Sequence, residues 1–302
     1  MDQFGVPATG RMSSRRLLAG LGAVVMVIVA VSAIHWLRTT STSGACGGEN
    51  PARIGGGTWS CAFDDEFNGT ALNPAHWSVT TSAQSGYRSG VECYVNNPRT
   101  VSVANGVLSL SAIRLANPVQ CRTPYGAWLT PYVSGMVTTQ GHFAQAGGRY
   151  EIRAAFQGAQ GSGVHSALWL YPEALTYGKG ASGEIDLAEY YGATAPDLGF
   201  ATLKYKTWFS GQSPTMGCKI QDPAAFHVYT LTWTSSLVTI AYDGQTCLST
   251  QWSPAAPLAA PQPFDRPFNI LLTQSLAQTG AGISPTLPFP VTMKVDYVRV
   301  WR

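Results

Sequence analysis

Three acids lie within six residues of one another in Gly183-Glu184-Ile185-Asp186-Leu187-Ala188-Glu189-Tyr190-Tyr191. Along an extended strand, residues two apart share a face, so Glu184 and Asp186 point one way and Ile185 and Leu187 the other. Glu189 is five positions from Glu184 and falls on the wrong face unless one extra residue enters a bulge, most simply at Ala188. With that bulge three carboxylates crowd one face, and like charges so close force one of them to keep its proton. A retaining glycosidase needs this arrangement: one carboxylate attacks the sugar, a second protonates the leaving oxygen, and the two sit about 5–5.5 Å apart. Asp186, between the glutamates, is placed to hydrogen-bond the nucleophile and to keep the acid protonated. The bland alternative is a solvated strand face with scattered charges. It loses ground in a chain whose charged residues amount to only 12%.

The preceding run alternates in the same way. His165, Ala167, Trp169 and Tyr171 share one face, and Ser166, Leu168 and Leu170 share the other. The second face is core-like, while Trp169 and Tyr171 offer flat surfaces suited to sugar rings. His165 reads as a polar cleft or turn residue and not as a metal ligand, because no second His stands at ligand spacing.

The elements that must position these groups are short strands. Alternating runs occur at Thr100–Ala112 (broken at Asn105-Gly106), Arg149–Ala155, Ser166–Tyr171, Glu184–Tyr190, Ala201–Lys206, Tyr229–Trp233, Val238–Tyr242 (followed by Asp243-Gly244) and Met293–Trp301. Asn-Gly and Asp-Gly between such runs are hairpin signals. No stretch after residue 58 keeps a helical apolar period for three turns. The pattern predicts an all-β sandwich or barrel, with residues 58–302 as one domain.

Composition agrees. Nine Trp, 32 Gly and 19 Pro exclude both a disordered chain and a helical bundle. The net charge of +3 comes from the N-terminal region, where Arg11, Arg15, Arg16 and Arg38 face only Asp2. The remainder is balanced, which removes the electrostatic footprint of a nucleic-acid partner. Leu17–Ile34 is an uninterrupted apolar run behind those arginines, and Ser14-Arg15-Arg16-Leu17-Leu18 resembles a twin-arginine export signal. Residues 1–37 are therefore expected to be a cytoplasmic tip plus a signal peptide or signal anchor, and 38–57 a linker. The protein is expected outside the cytoplasm, secreted or held at the membrane through residues 17–37, and monomeric. All six cysteines follow the apolar run, as expected for disulfides in an oxidising compartment. Of the fifteen pairings that six cysteines allow, the sequence-local one is favoured: Cys46–Cys61, Cys93–Cys121 and Cys218–Cys247.

Gly183–Gly192 resembles the signature of glycoside hydrolase family 16, in the bulged form of laminarinase-like endo-β-1,3-glucanases. Phe63–Gly69, Asn73–Trp77, Ser134-Gly135-Met136, Gly148–Arg153, Ala167–Leu170, Phe226–Trp233, Tyr242-Asp243-Gly244 and Val295–Trp301 resemble further family segments in the family's order. The resemblance implies a concanavalin-like jelly-roll sandwich of two antiparallel sheets with a concave cleft. It implies Glu184 as nucleophile, Asp186 as assisting carboxylate, Glu189 as acid/base and Trp169 as a sugar-stacking residue. No cofactor is implied for catalysis. A structural calcium held by Glu66, the carbonyl of Gly106 and Asp296 is implied, against an equal alternative of plain strand-end pairing.

Three departures concern the groups facing the substrate. Lys204 stands where the family carries a His, Gln274-Ser275-Leu276-Ala277 replaces an Asn with a glycine-rich stretch, and Val164-His165-Ser166 replaces a Trp-Pro. Lys204, His165 and Gln274 thus join Trp169 and Tyr171 as candidate substrate-binding residues. The expected activity is retaining endo-hydrolysis of a β-glucan-like polysaccharide, with β-1,3-glucan first. The alternatives are a transglycosylase that remodels a wall glycan and a non-catalytic carbohydrate-binding protein, and the retained Glu184/Glu189 pair speaks against the latter.

Overall fold

Asn105 and Gly106 both take left-handed backbone angles and close a hairpin between β4 (Val101–Ala104) and β5 (Val107–Thr123). Asp243 and Gly244 do the same between β14 (Val238–Tyr242) and β15 (Gln245–Thr250). Both are the turns that the dipeptides predicted. A computed structural model describes residues 44–302 apart from 54, 158–161, 193–194, 208–212 and 278–281. The expected export segment lies outside the described residues. Within 44–57, which composition marks as linker, Ala45–Gly48 forms a short 3₁₀ turn, and the carbonyl of Glu49 accepts a hydrogen bond from the indole of Trp301.

The described strands form two sheets. One contains β2 (Ser78–Val79), β7 (Met136–Thr138), β9 (Val164–Pro172), β10 (Glu184–Tyr190), β11 (Leu198–Lys204), β12 (Thr215–Lys219) and β16 (Phe268–Leu276), in the order β12-β11-β10-β9-β16-β7-β2. The other is built on β8 (Gly148–Phe156), β13 (His227–Trp233) and β17 (Val291–Trp301). Its order is β15-β14-β13-β8-β17-β5-β6-β3, where β3 is Cys93–Tyr94 and β6 is Gly126–Ser134; β1 (Cys61–Asp65) adds to β17 and β4 to β5. All pairings are antiparallel except β3 with β6. The chain is an all-β jelly-roll sandwich. Its core lies between the sheets, where Leu168, Leu170, Ile185 and Tyr190 meet Ile152, Phe156, Leu231 and Val298. Phe156 and Tyr190 stack across the gap with their rings 5.2 Å apart.

The bulge is present. Against β9, Asp186 pairs with Trp169 and the next partners are Ala188 and Leu168; against β11, pairing jumps from Asp186–Thr202 to Glu189–Phe200. Strand β10 thus carries one residue more than either neighbour. The extra length is spread over Leu187 and Ala188, not confined to Ala188, and both side chains are fully buried. The freed carbonyl of Leu187 accepts the hydroxyl of Tyr242 at 2.9 Å, so the opposite sheet holds the bulge. Disulfides join Cys46 to Cys61, Cys93 to Cys121 and Cys218 to Cys247.

Candidate active site

With the bulge in place, Glu184, Asp186 and Glu189 lie on the outer face of the seven-stranded sheet, and all three meet one cation. Lys204, directly across from Glu184 on β11, donates to Glu184 Oε1 at 2.7 Å. Its Nζ lies 3.0 Å from Asp186 Oδ2 and 3.9 Å from Glu189 Oε2. Laid end to end, 2.7 and 3.9 Å keep those two glutamate oxygens within about 6.6 Å of each other. That bound accommodates the roughly 5–5.5 Å of a retaining pair and touches only the lower edge of the roughly 6.5–9.5 Å of an inverting one.

The three acids have different surroundings. Asp186 is almost completely buried, and burial together with Glu184 and Glu189 pushes its carboxyl well above the usual range, against the pull of Lys204. Burial also pushes Glu189 upward, but it is outweighed by the hydrogen bond from His165, the charges of Lys204 and His165, and the hydroxyl of Tyr191, leaving Glu189 below its usual value. His165 Nε2 stands 3.2 Å from Glu189 Oε1, and Tyr191 donates to the same oxygen at 2.9 Å. The rings of His165 and Tyr191 stack at 4.8 Å, which fixes both. Desolvation lowers Lys204, yet the three carboxylates raise it more, so it stays cationic. These surroundings favour the protonated form of Asp186 over that of Glu189, while Glu184 and Glu189 face the ammonium.

Trp169 borders the acids, with its indole donating to Thr273 at 2.9 Å and its ring against Tyr87 and Tyr171. It is 8% exposed, so only a strip of the ring is open. The space enclosed by Tyr87, His165, Trp169, Thr273 and the three acids is about 20 Å³, enough for about one water. Beside it a cleft of about 290 Å³ is lined by Tyr171, Gly183, Glu184, Lys204 and Tyr205.

Two expectations are corrected. Gln274 is fully buried and lies in the β16 register of Leu272 and Leu276, which face the core. Its amide accepts from Ser166 and donates to the carbonyls of His165 and Ser275. It holds β9 to β16 from inside and has no path to substrate. The calcium set also fails. Glu66 accepts from Arg299 at 2.7 and 3.1 Å, Asp296 is paired with Arg153, and Gly106 serves the β4–β5 turn. Both carboxylates are already neutralised, and among the described residues no three His, Cys, Asp or Glu side chains gather as a metal site. These residues do not fit a calcium ion.

Sequence reasoning overlooked Tyr191, Tyr87 and Glu92. Tyr191 was within reach, being two residues beyond Glu189 and hence on its face. Tyr87 and Glu92 belong to the segment between a one-turn helix at Ser82–Ser85 and β3, which has no strand alternation to read. Glu92 is fully buried and accepts from the Ser275 hydroxyl and the Leu276 amide, tying that segment to β16. At Gly90 a Cβ would collide with the Leu276 carbonyl, so only glycine permits the approach.

The sequence profile described as Glycosyl hydrolases family 16 matches residues 90–297. Glucan endo-1,3-beta-glucosidase A1 of Niallia circulans is 30% identical over 260 residues, covering 80% of this chain but 37% of its own length. Beta-glucanase of Rhodothermus marinus is 29% identical over 266 residues, covering 81% of this chain and 85% of its own. Among solved structures, the laminarinase from Rhodothermus marinus superposes with a TM-score of 0.70 at 28% identity, covering 81% of this chain and 97% of that one.

Proposed function

The chain belongs to glycosyl hydrolases family 16 and is a glycoside hydrolase like the endo-β-1,3-glucanases, and from that premise we propose that it cleaves β-1,3-glucan internally with retention, outside the cytoplasm. The observation that carries this reading is the Lys204-bridged triad, which keeps Glu184 and Glu189 oxygens within about 6.6 Å. Glu184 attacks the anomeric carbon and Glu189 gives its proton to the departing glycosidic oxygen, leaving a glycosyl ester on Glu184. Glu189 then takes a proton from water, whose oxygen releases the sugar and restores Glu184. Glu189 starts this cycle ionised, so it must take a proton from solvent as substrate binds. A sugar that displaces water deepens its burial, and burial is the influence that pushes its carboxyl up. Asp186, holding the proton between the two glutamates, bonds the attacking carboxylate. Trp169 and Tyr171 bound the sugar, while His165 and Tyr191 aim Glu189.

Export rests on the arginine-flanked apolar run 17–34 and on the three disulfides. In this reading residues 1–37 deliver or anchor the catalytic domain 58–302, which acts as a monomer. The test is reducing-sugar release and proton NMR of the product anomer on laminarin, with E184Q and E189Q as controls. The expected result is initial β-product from wild type and a loss of about 10²–10⁴-fold in each variant. Initial α-product, or either variant turning over at the wild-type rate, removes the assignment.

A further inference from the structure

Trp169 and Tyr87 border the acids, and a third ring, that of Tyr125, stands beside the segment carrying Tyr87 and has no assigned role. Trp169 packs against Tyr87, ring centroids 6.1 Å apart. The neighbour of Tyr87, Gly86, is a left-handed helix cap whose missing side chain leaves room for the ring of Tyr125: a Cβ there would lie 2.4 Å from that ring. Tyr125 sits in the turn joining β5 and β6 and is 86% exposed, the most open of the large exposed hydrophobic side chains among the described residues.

The backbone of that turn is held firmly. The amide of Tyr125 donates to the Thr123 hydroxyl, which itself donates to the Gly126 carbonyl. The hairpin is bound to the cleft wall by Cys93–Cys121, by the Trp128 indole donating to the Val91 carbonyl, and by Arg88 over the Trp128 ring at 4.3 Å. A tyrosine left in water on a rigid support, one residue's width from a ring lining the acid site, loses little conformational freedom when something flat covers it.

We propose that Tyr125 is a distal sugar platform, stacking on a pyranose ring of a glucan chain that runs outward past Trp169 and Tyr87. The inference rests on the β-glucan reading above and adds to it a preference for long chains. The occupant follows from position, because the ring of Tyr125 abuts Gly86 next to Tyr87, which lines the acid site, and a chain too short to pass Tyr87 never reaches it. Such stacking contributes roughly 3–10-fold in affinity.

The experiment compares wild type, Y125A and Y125F on laminarin and on laminaritetraose, with melting temperatures to confirm folding. Y125A is expected to raise the ratio of laminarin KM to tetraose KM by about 3–10-fold, and Y125F, which keeps the ring, to leave the ratio at the wild-type value. An unchanged ratio in Y125A overturns the proposal, as does an equal loss on both substrates, which would mark Tyr125 as a mere support for Tyr87. Affinity electrophoresis in laminarin gels needs no turnover. Weaker retardation of Y125A than of wild type supports the platform, whereas equal retardation of the two, or a wild type that is not retarded at all, overturns it. A wild type that is retarded but does not hydrolyse laminarin sinks only the functional reading.

Discussion

Replacing Lys204 by methionine keeps the length and the apolar stem of the side chain and removes the one cation that all three carboxylates share. At 3.9 Å from Glu189, a unit charge is worth about 4 kcal/mol at an effective dielectric constant of about 20. The lysine side chain is 41% exposed, so screening reduces this to about 1–2 kcal/mol, or roughly one pH unit. The sign follows from the role of Glu189. An acid works only while protonated, so kcat/KM falls as pH rises through its pKa, and Lys204 holds that pKa down. K204M should therefore move the alkaline limb of the kcat/KM profile upward by about one pH unit. The profile of kcat/KM is the right quantity because it reports the free enzyme, the state in which the ammonium bridges the acids. K204H should behave like K204M where the imidazole is neutral and return toward wild type where it is charged. An alkaline limb that stays in place, or moves down, would refute the claim that Lys204 sets the protonation of Glu189.

Deleting Ala188 removes the extra residue of the bulge, and strand alternation then still leaves Glu189 beside Glu184; inserting a second alanine there, with Tyr242 still holding the one-residue bulge at Leu187, sends Glu189 inward. Laminarin hydrolysis should survive the deletion and vanish in the insertion, and equal activity of the two contradicts the parity argument. Removing Cys93–Cys121 as the double alanine variant opens a loop of 28 residues, which costs about 3–4 kcal/mol. Calorimetry should find the melting temperature lower by roughly 6–15 °C, and a fall under 2 °C, well below that rough span, would show that the hairpin is held without it. Chelation by EDTA should leave both melting temperature and turnover as they were, because Arg299 and Arg153 already neutralise Glu66 and Asp296; a destabilised protein would place a metal elsewhere.

The sequence by itself determined what depends on near neighbours in the chain. Left-handed turns at Asn105-Gly106 and Asp243-Gly244, the faces of β9 and β10, and the need for a bulge before Glu189 all follow from backbone preferences and a period of two. The sequence favours the local cysteine pairing among fifteen, but the fold decides it, since Cys218–Cys247 ties β12 of one sheet to β15 of the other and Cys93–Cys121 ties β3 to β5. Only the tertiary structure decided which distant groups meet those faces. Alternation along β16 already sets Gln274 on the core face with Leu272 and Leu276, but the partners that satisfy its amide there, the Ser166 hydroxyl and the His165 carbonyl, come from the register of β16 against β9. Glu66 and Asp296 were claimed by arginines of β17 and β8, and Tyr87 reached Trp169 through an irregular segment tied down by Glu92. Lys204 combines both levels. Alternation placed it on the cleft side, but its hold on three carboxylates arises from the β10–β11 register and the bulge together. Strand periodicity is a property of one segment, whereas a charge's partners are fixed by the registers between strands that the chain brings together from afar.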